Sequence, residues 1–308
     1  MTMPVEKLTD IRGKLSSDAS LGKMGWFKCG GNAEYLFKPA DIQDLQYFMQ
    51  QNSGELYIFG ALSNTIIRDG GLDGTVIRLG REFSGIEYLG DQYIKAGTFA
   101  LDANVSRFAA DNGVAGLEFY SGIPGTIGGA LRMNAGCYGR ETKDVLVECE
   151  ALDPSGELHI LTPADLKMSY RHIELPEGWL FLSATFKGEK GQPEEIHNSI
   201  DDIKRKREDS QPIKEKTGGS TFANPSLEDL EKSGLPEGTK VWQLIDSVGG
   251  RGLMIGGAQM SEKHCNFMIN TGEATSADLE NLGEEIRRRV LNDTGISLRW
   301  EIRRIGKA

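Results

Sequence analysis

Histidine and cysteine are scarce in this chain, at four each among 308 residues. Cys29, Cys137, Cys149 and Cys265 form no Cys-x-x-Cys pair, so no metal site is expected, and the thiols read as free in a reducing cytoplasm. No run approaches the roughly 18–20 apolar residues that span a bilayer. The opening MTMPVEKLTDIRGKL has no apolar signal-peptide core. No Gly-x-Gly-x-x-Gly opens a helix after a strand, and no Walker lysine loop or Gly-x-Ser-x-Gly elbow occurs. Positive charge is also in deficit. With 35 basic and 45 acidic residues the net charge is −10, which argues against nucleic acid or an anionic membrane as partner. The one basic run, Lys204-Arg-Lys-Arg207, sits among Asp201, Asp202, Glu208 and Asp209 and reads as a solvated helix face.

Glycine is what the chain has in excess, at 39 of 308 residues, against a usual share of roughly 7%. There is no collagen period, and 39% of the chain is hydrophobic, so the glycine belongs to folded structure: turns, or backbone approaching a ligand. Eight glycines crowd into residues 113–139 and five into 249–257.

Periodicity outlines the elements. Helices are expected at Asp41–Asn52, Asp102–Asn112, about 194–208 and about 276–293. Asp41 caps the first, Gly113 stops the second, and Thr275, Asp278 and Gly295 bound the last. Strands are expected at Leu56–Gly60, Thr75–Leu79, 145–152, 157–161, 179–187 and Ser297–Arg303, with a hairpin over 86–96 turning at Gly90-Asp91 and a turn at Asp153–Gly156. Residues 188–195 read as a linker.

Five segments have residues suited to chemistry. Gly60-Ala-Leu-Ser-Asn64 and Ser121-Gly-Ile-Pro-Gly-Thr-Ile-Gly-Gly129, continuing to Gly136, are turns whose converging N–H groups suit a diphosphate held from two sides. Ser220, in Lys216-Thr-Gly-Gly-Ser-Thr-Phe-Ala-Asn-Pro225, has no histidine nearby to activate it as a nucleophile, which leaves proton donation or turn capping. Glu301 lies on the polar face of the last strand with Arg299 and Arg303, as a carboxyl for chemistry or as part of a salt-bridge ladder. Arg171, in Ser169-Tyr-Arg171, offers a fork suited to a carboxylate, or is a surface arginine.

Taken in order, Trp26–Ala33, Gly122-Ile-Pro-Gly-Thr126 through Gly139, Ser169-Tyr-Arg171, Gly219-Ser-Thr-Phe-Ala-Asn-Pro225, Gly256–His264 and Trp300–Gly306 resemble the motifs of the UDP-N-acetylenolpyruvoylglucosamine reductase (MurB) family, from about Lys23 to Gly306. The short interval between Arg171 and Ser220 is similar to the family's second type. The resemblance implies an α+β architecture: a PCMH-type FAD-binding fold of two α+β subdomains (1–83 and 84–193) plus a C-terminal α+β substrate domain (194–308). It implies noncovalent FAD held by Gly60, Ala61, Ser63, Asn64, Gly122, Ile123, Pro124, Gly125, Thr126, Gly129, Asn134 and Gly136, and NADPH as hydride donor. It implies UDP-N-acetylglucosamine enolpyruvate as substrate, contacted by Tyr170, Asn224, Lys216 and His264. Arg171 and Glu301 would stabilise an enolate and Ser220 would donate the proton, in a cytoplasmic reaction of peptidoglycan synthesis.

Two positions depart from the family pattern: Gly25 stands where threonine is common, and Leu62 stands where a glycine precedes Ser-Asn. Either the first turn is reshaped at Leu62 or that position needs no left-handed backbone. Two other readings stay open: another PCMH-type FAD oxidoreductase acting on a sugar or hydroxy acid, and a non-catalytic nucleotide-binding protein.

Overall fold

The computed structural model describes residue 8, residues 10–52 and residues 54–308. The expectation about a signal peptide falls largely on residues 1–7, outside the described residues. No helix among the described residues is long and apolar enough to cross a membrane. Two compact units emerge, each built from separated stretches of chain. The first takes the described residues up to Asp18, then Glu34–Ala61 and Gly74–Lys206; the second takes Ala19–Ala33, Leu62–Asp73 and Arg207–Ala308.

In the first unit, the helix Ile42–Gln51 starts where Asp41 accepts the Asp44 N–H at 2.9 Å. Its apolar face, Leu45, Phe48 and Met49, is buried, and the Phe48 ring stacks on Phe37 at 4.2 Å. Leu56–Ile58 pairs in parallel with Thr75–Ile77. A five-stranded antiparallel sheet follows the order Leu158–Leu161, Leu146–Leu152, Leu180–Lys187, Tyr93–Gly97, Ile86–Gly90. The helix Asp102–Asp111 buries Val105 and Ala109 in the same core as Ile94, Ala96, Tyr120, Leu131 and Phe186.

The Asp153 turn forms because the Asp153 carboxylate accepts from the Ser155 hydroxyl and from the Ser155 and Glu157 N–H groups. The 86–96 hairpin turns one residue later than expected: Asp91 and Gln92 occupy its left-handed tip, at φ 47° and 65°. Residues 188–195 are not a linker. Glu189–Lys190 pairs with Val114–Ala115, and the helix Pro193–Ser210 begins directly afterwards, burying Ile196, Ile200 and Ile203. Within the glycine-rich 113–139 stretch, Ile127–Arg132 is a short helix that glycine's low helix propensity hid.

In the second unit, Lys216–Thr217, Met268–Asn270, Ala258–Met260 and Met254–Ile255 form an antiparallel sheet in that order. The helix Ser276–Thr294 opens with the reciprocal Thr275–Asp278 box and closes on Gly295 at φ 75°. Its stripe of Leu279, Leu282, Ile286 and Val290 is fully buried. The expected strand Ser297–Arg303 is not regular. Trp300 makes an isolated bridge to Phe222, and the regular strand is Arg303–Ile305, parallel to Thr65–Ile67. The alternation is real, since Leu298 and Ile302 are buried and Arg299 and Arg303 exposed, but alternation reports a face and not a ladder. Gly283 leaves room for the Trp300 ring, which a Cβ there would meet at 2.1 Å, and the Trp300 indole N–H donates to Glu284 at 2.9 Å.

Candidate active site

In the first unit, residues 98–102 run antiparallel to 125–128. The N–H groups of Gly128, Ile127 and Asp102 donate to the carbonyls of Thr98, Ala100 and Gly125 at 2.8, 3.0 and 3.3 Å. This pairing fixes the Ile123-Pro124-Gly125-Thr126 turn from behind and leads into the helix that carries Gly129. Gly60 lies directly against it: a Cβ at Gly60 would come 2.5 Å from Thr126 Oγ1. The two glycine turns, far apart in sequence, therefore meet through Gly60 and Thr126. Gly122 is packed against the far end of the same stretch, its Cβ position 2.8 Å from Cys137 Sγ.

This region holds polar groups without partners. Thr126 Oγ1 and both Asp102 carboxyl oxygens are buried and have no hydrogen-bond partner among the described residues. Buried polar atoms in native proteins are nearly always satisfied, so an unpaired set beside a glycine cradle fits a polar ligand. Burial pushes the Asp102 carboxyl well above its ordinary range, and burial likewise raises Tyr120.

Arg171 occupies a tight turn closed by reciprocal Ser169–His172 backbone bonds of 2.9 and 3.1 Å. Its guanidinium donates to the Gly136 carbonyl at 2.8 Å and lies 5.1 Å from the centre of the Tyr170 ring, which is exposed. The backbone of Arg171 is left-handed, at φ 54°, as are those of Asn134 at 39° and Tyr138 at 53°. Non-glycine residues in this region cluster at functional sites, because the surrounding structure must over-determine them.

The division between the units passes between Ala61 and Leu62, so Gly60 and Ala61 belong to the first unit and Ser63 and Asn64 to the second. Of the two alternatives the sequence left open at Leu62, a position that needs no left-handed backbone is ruled out. The Leu62 backbone is left-handed at φ 53°, the geometry a glycine would favour, while its side chain is buried. Burying a leucine contributes roughly 1.5–3 kcal/mol, which offsets a left-handed cost of roughly 1–2 kcal/mol.

In the second unit, the segments that carry Ser220 and Glu301 are brought together by backbone. The Glu301 N–H donates to the Thr221 carbonyl at 2.9 Å, and the Ala223 N–H to the Arg299 carbonyl at 2.9 Å. The Ser220 hydroxyl has no hydrogen-bond partner among the described residues, and Ser220 and Glu301 are both half-buried. Asn266, which the sequence reading missed, pins this segment: its carbonyl accepts the Thr221 N–H at 2.7 Å and its side chain exchanges bonds of 3.0 and 2.9 Å with the Phe222 backbone.

Asn64 braces Glu301 from the other side. Its amide donates to the Glu301 carbonyl at 3.0 Å and its own carbonyl accepts the Arg303 N–H at 3.0 Å. Ser63 precedes it in the same half-buried stretch. Asn224 Oδ1 accepts the Val241 N–H at 3.1 Å, orienting the helix Val241–Ser247. Lys216 is exposed on its strand. His264 sits in a turn of its own, 5.0 Å from the Phe267 ring, and burial lowers its pKa, so it presents a neutral imidazole at neutral pH.

Residues 33–162 match the sequence profile of an FAD-binding domain, and residues 211–305 that of the C-terminal domain of UDP-N-acetylenolpyruvoylglucosamine reductase. The enzyme of that name from Paramagnetospirillum magneticum is 53% identical over 98% of this chain and 95% of its own length. The one from Parvibaculum lavamentivorans is 53% identical over 98% of this chain and 94% of its own. The crystal structure of MurB from Thermus caldophilus superposes with a TM-score of 0.79 at 29% identity, covering 96% of this chain and 99% of that one. The chain belongs to the UDP-N-acetylenolpyruvoylglucosamine reductase family. Its architecture is the PCMH-type FAD-binding fold with α+β subdomains, and it is an FAD-dependent oxidoreductase. Family membership decides against the sugar oxidase and the non-catalytic nucleotide binder.

Two outcomes test the reading of these side chains. Leu62→Gly should be more stable than Leu62→Ala by about 1 kcal/mol in urea unfolding, although both lose the buried side chain, because only glycine relieves the left-handed strain. Equal stability, or a more stable alanine, would contradict it. Asp102 binds its proton more tightly folded than unfolded, so wild-type stability falls as pH rises above the unfolded carboxyl range near about 3.9. Asp102→Asn removes that slope. Melting temperatures of the two proteins from pH 4 to pH 8 should diverge in favour of the variant, and parallel profiles would show Asp102 ionised at no cost.

Proposed function

We propose that this family member reduces the enolpyruvyl ether of UDP-N-acetylglucosamine enolpyruvate to UDP-N-acetylmuramate with NADPH, in the cytoplasm, as a step of peptidoglycan synthesis. The observation that supports the reading is the bond from the Glu301 N–H to the Thr221 carbonyl, which holds the backbone of the Ser220 segment against that of Glu301. The names of its relatives and the FAD-binding profile support the substrate and the cofactor.

The residues present fit FAD. The Ile123–Thr126 turn, packed against Gly60, would hold the diphosphate through its backbone, and the orphaned Thr126 hydroxyl would gain a partner there. When bound, FAD supplies a hydride that it receives from NADPH. The chain's own residues handle the charge and the proton. Hydride addition at the terminal vinyl carbon leaves carbanion character on the carbon that bears the carboxylate. Arg171, always charged, stabilises the negative charge that spreads onto that carboxylate. Glu301, in its protonated form, donates a hydrogen bond to the developing enolate. Ser220 donates the proton to the carbanion carbon; a neutral hydroxyl is a weak acid, but the carbanion is a far stronger base, so the transfer runs downhill. Asn224, Tyr170, Lys216 and His264 are the proposed contacts to the sugar nucleotide, His264 through a neutral ring.

Ser220→Ala should keep NADPH-dependent bleaching of the flavin near the wild-type rate and slow its reoxidation by the enolpyruvyl substrate by about 10²–10⁴-fold, the usual weight of a positioned proton donor. Rapid mixing of each half-reaction reads the two rates separately. Two unchanged half-reactions would remove Ser220 from the role.

A further inference from the structure

Asn134 was expected among the cofactor ligands, yet its side chain is committed elsewhere. It is fully buried, and its amide donates to the Ser169 carbonyl at 2.9 Å and to Glu141 Oε2 at 3.1 Å. Its Oδ1 accepts the Lys143 N–H at 2.9 Å. Both donors and the acceptor thus face protein. Ser169 opens the turn whose third residue is Arg171, and the Arg171 guanidinium bonds back to the Gly136 carbonyl, two residues beyond Asn134. Two bonds of opposite direction therefore tie residues 134–136 to residues 169–171, and both ends carry a left-handed non-glycine backbone, at Asn134 and at Arg171.

The residue type matches the task. Asparagine tolerates the left-handed region better than most side chains, and it offers donors and an acceptor on one short planar group. Alanine would leave the Ser169 carbonyl and the Lys143 N–H without these partners, and aspartate would set an acceptor against the Ser169 carbonyl and the Glu141 carboxylate. A left-handed turn holding a charged side chain keeps that geometry only while its neighbours enforce it.

We propose that Asn134 is a positioning residue for Arg171: it holds the Ser169–His172 turn in the strained form that aims the guanidinium, and its side chain does not ligate the cofactor. This rests on the reading of Arg171 as the partner of the substrate carboxylate. A displacement of about 1 Å in such a group can cost about 10²-fold in rate.

The test uses the FAD-loaded enzyme and its two half-reactions. Asn134→Ala should retain one flavin per chain and reduce with NADPH at the wild-type rate. Its reoxidation by UDP-N-acetylglucosamine enolpyruvate should slow by about 10–100-fold at saturating substrate, a loss in kcat. Combined with Arg171→Ala, Asn134→Ala should add no further slowing, because it acts through the residue already removed. If Asn134→Ala does not fold, Asn134→Asp, which preserves shape and the acceptor, carries the same measurements. Lost flavin with normal reoxidation of the fraction still loaded would make Asn134 a cofactor-holding residue and overturn the proposal. Multiplicative slowing in the double variant would overturn it as well. Unchanged reoxidation in Arg171→Ala alone would instead overturn the parent reading of Arg171.

Discussion

The hydrogen bond from the Glu301 amide to the Thr221 carbonyl is the interaction on which the proposed chemistry depends. It joins a segment early in the last third of the chain to one near its end and sets the register between the Ser220–Ala223 and Arg299–Glu301 backbones. The surrounding structure protects that register. Asn266 grips the Thr221–Phe222 side through three bonds, Asn64 grips the Glu301 carbonyl, and Phe222 lies against Trp300 at 5.0 Å between ring centres. Trp300 is in turn held by Glu284, which also takes Arg304 at 2.9 Å. The backbone around the proposed reactive side chains is thus fixed by hydrogen bonds, and asparagine amides do much of the fixing. That suits a site in which placement to within an ångström matters.

The first unit applies the same logic with a different element. There, strained backbone replaces a strand pairing. Arg171 and Asn134 hold left-handed conformations without glycine, and the bonds between residues 134–136 and 169–171 enforce them. Glycine is kept for places where nothing larger fits, such as Gly60 against Thr126 and Gly122 against Cys137. Leu62 shows the limit of the rule. A left-handed position can carry a leucine when the side chain is buried deeply enough to offset the strain.

Local signals were legible in the sequence because their causes are local. Asp41, the Thr275–Asp278 box and Gly295 mark helix ends through bonds spanning a few residues, and the structure places them so. The motif order was legible too, and it led to the family. What stayed hidden depends on distant pairing. Nothing near Gly60 announces Thr126, and nothing near Asn134 announces Ser169. Composition misled at residues 188–195, where Gly and Pro punctuation concealed a two-residue pairing with Val114–Ala115. Alternation misled at Ser297–Arg303, where the buried face is real but the hydrogen bonds go to the Ser220 segment in an irregular bridge. Asn266 could have been suspected only from its place beside the His264 motif, and the bonds of Asn64 to Glu301 and of Asn134 to Ser169 link residues too far apart in sequence to be read from it.

In the proposed reaction this chain passes a hydride from NADPH to the enolpyruvyl ether and finishes with a proton. Anaerobic stopped-flow absorbance of the wild-type protein loaded with FAD, followed at about 450 nm, tests it most directly. NADPH should bleach the flavin and UDP-N-acetylglucosamine enolpyruvate should restore it within turnover time, with one UDP-N-acetylmuramate formed per flavin. A reduced flavin that this substrate leaves bleached, while a different acceptor restores it, would contradict the claim.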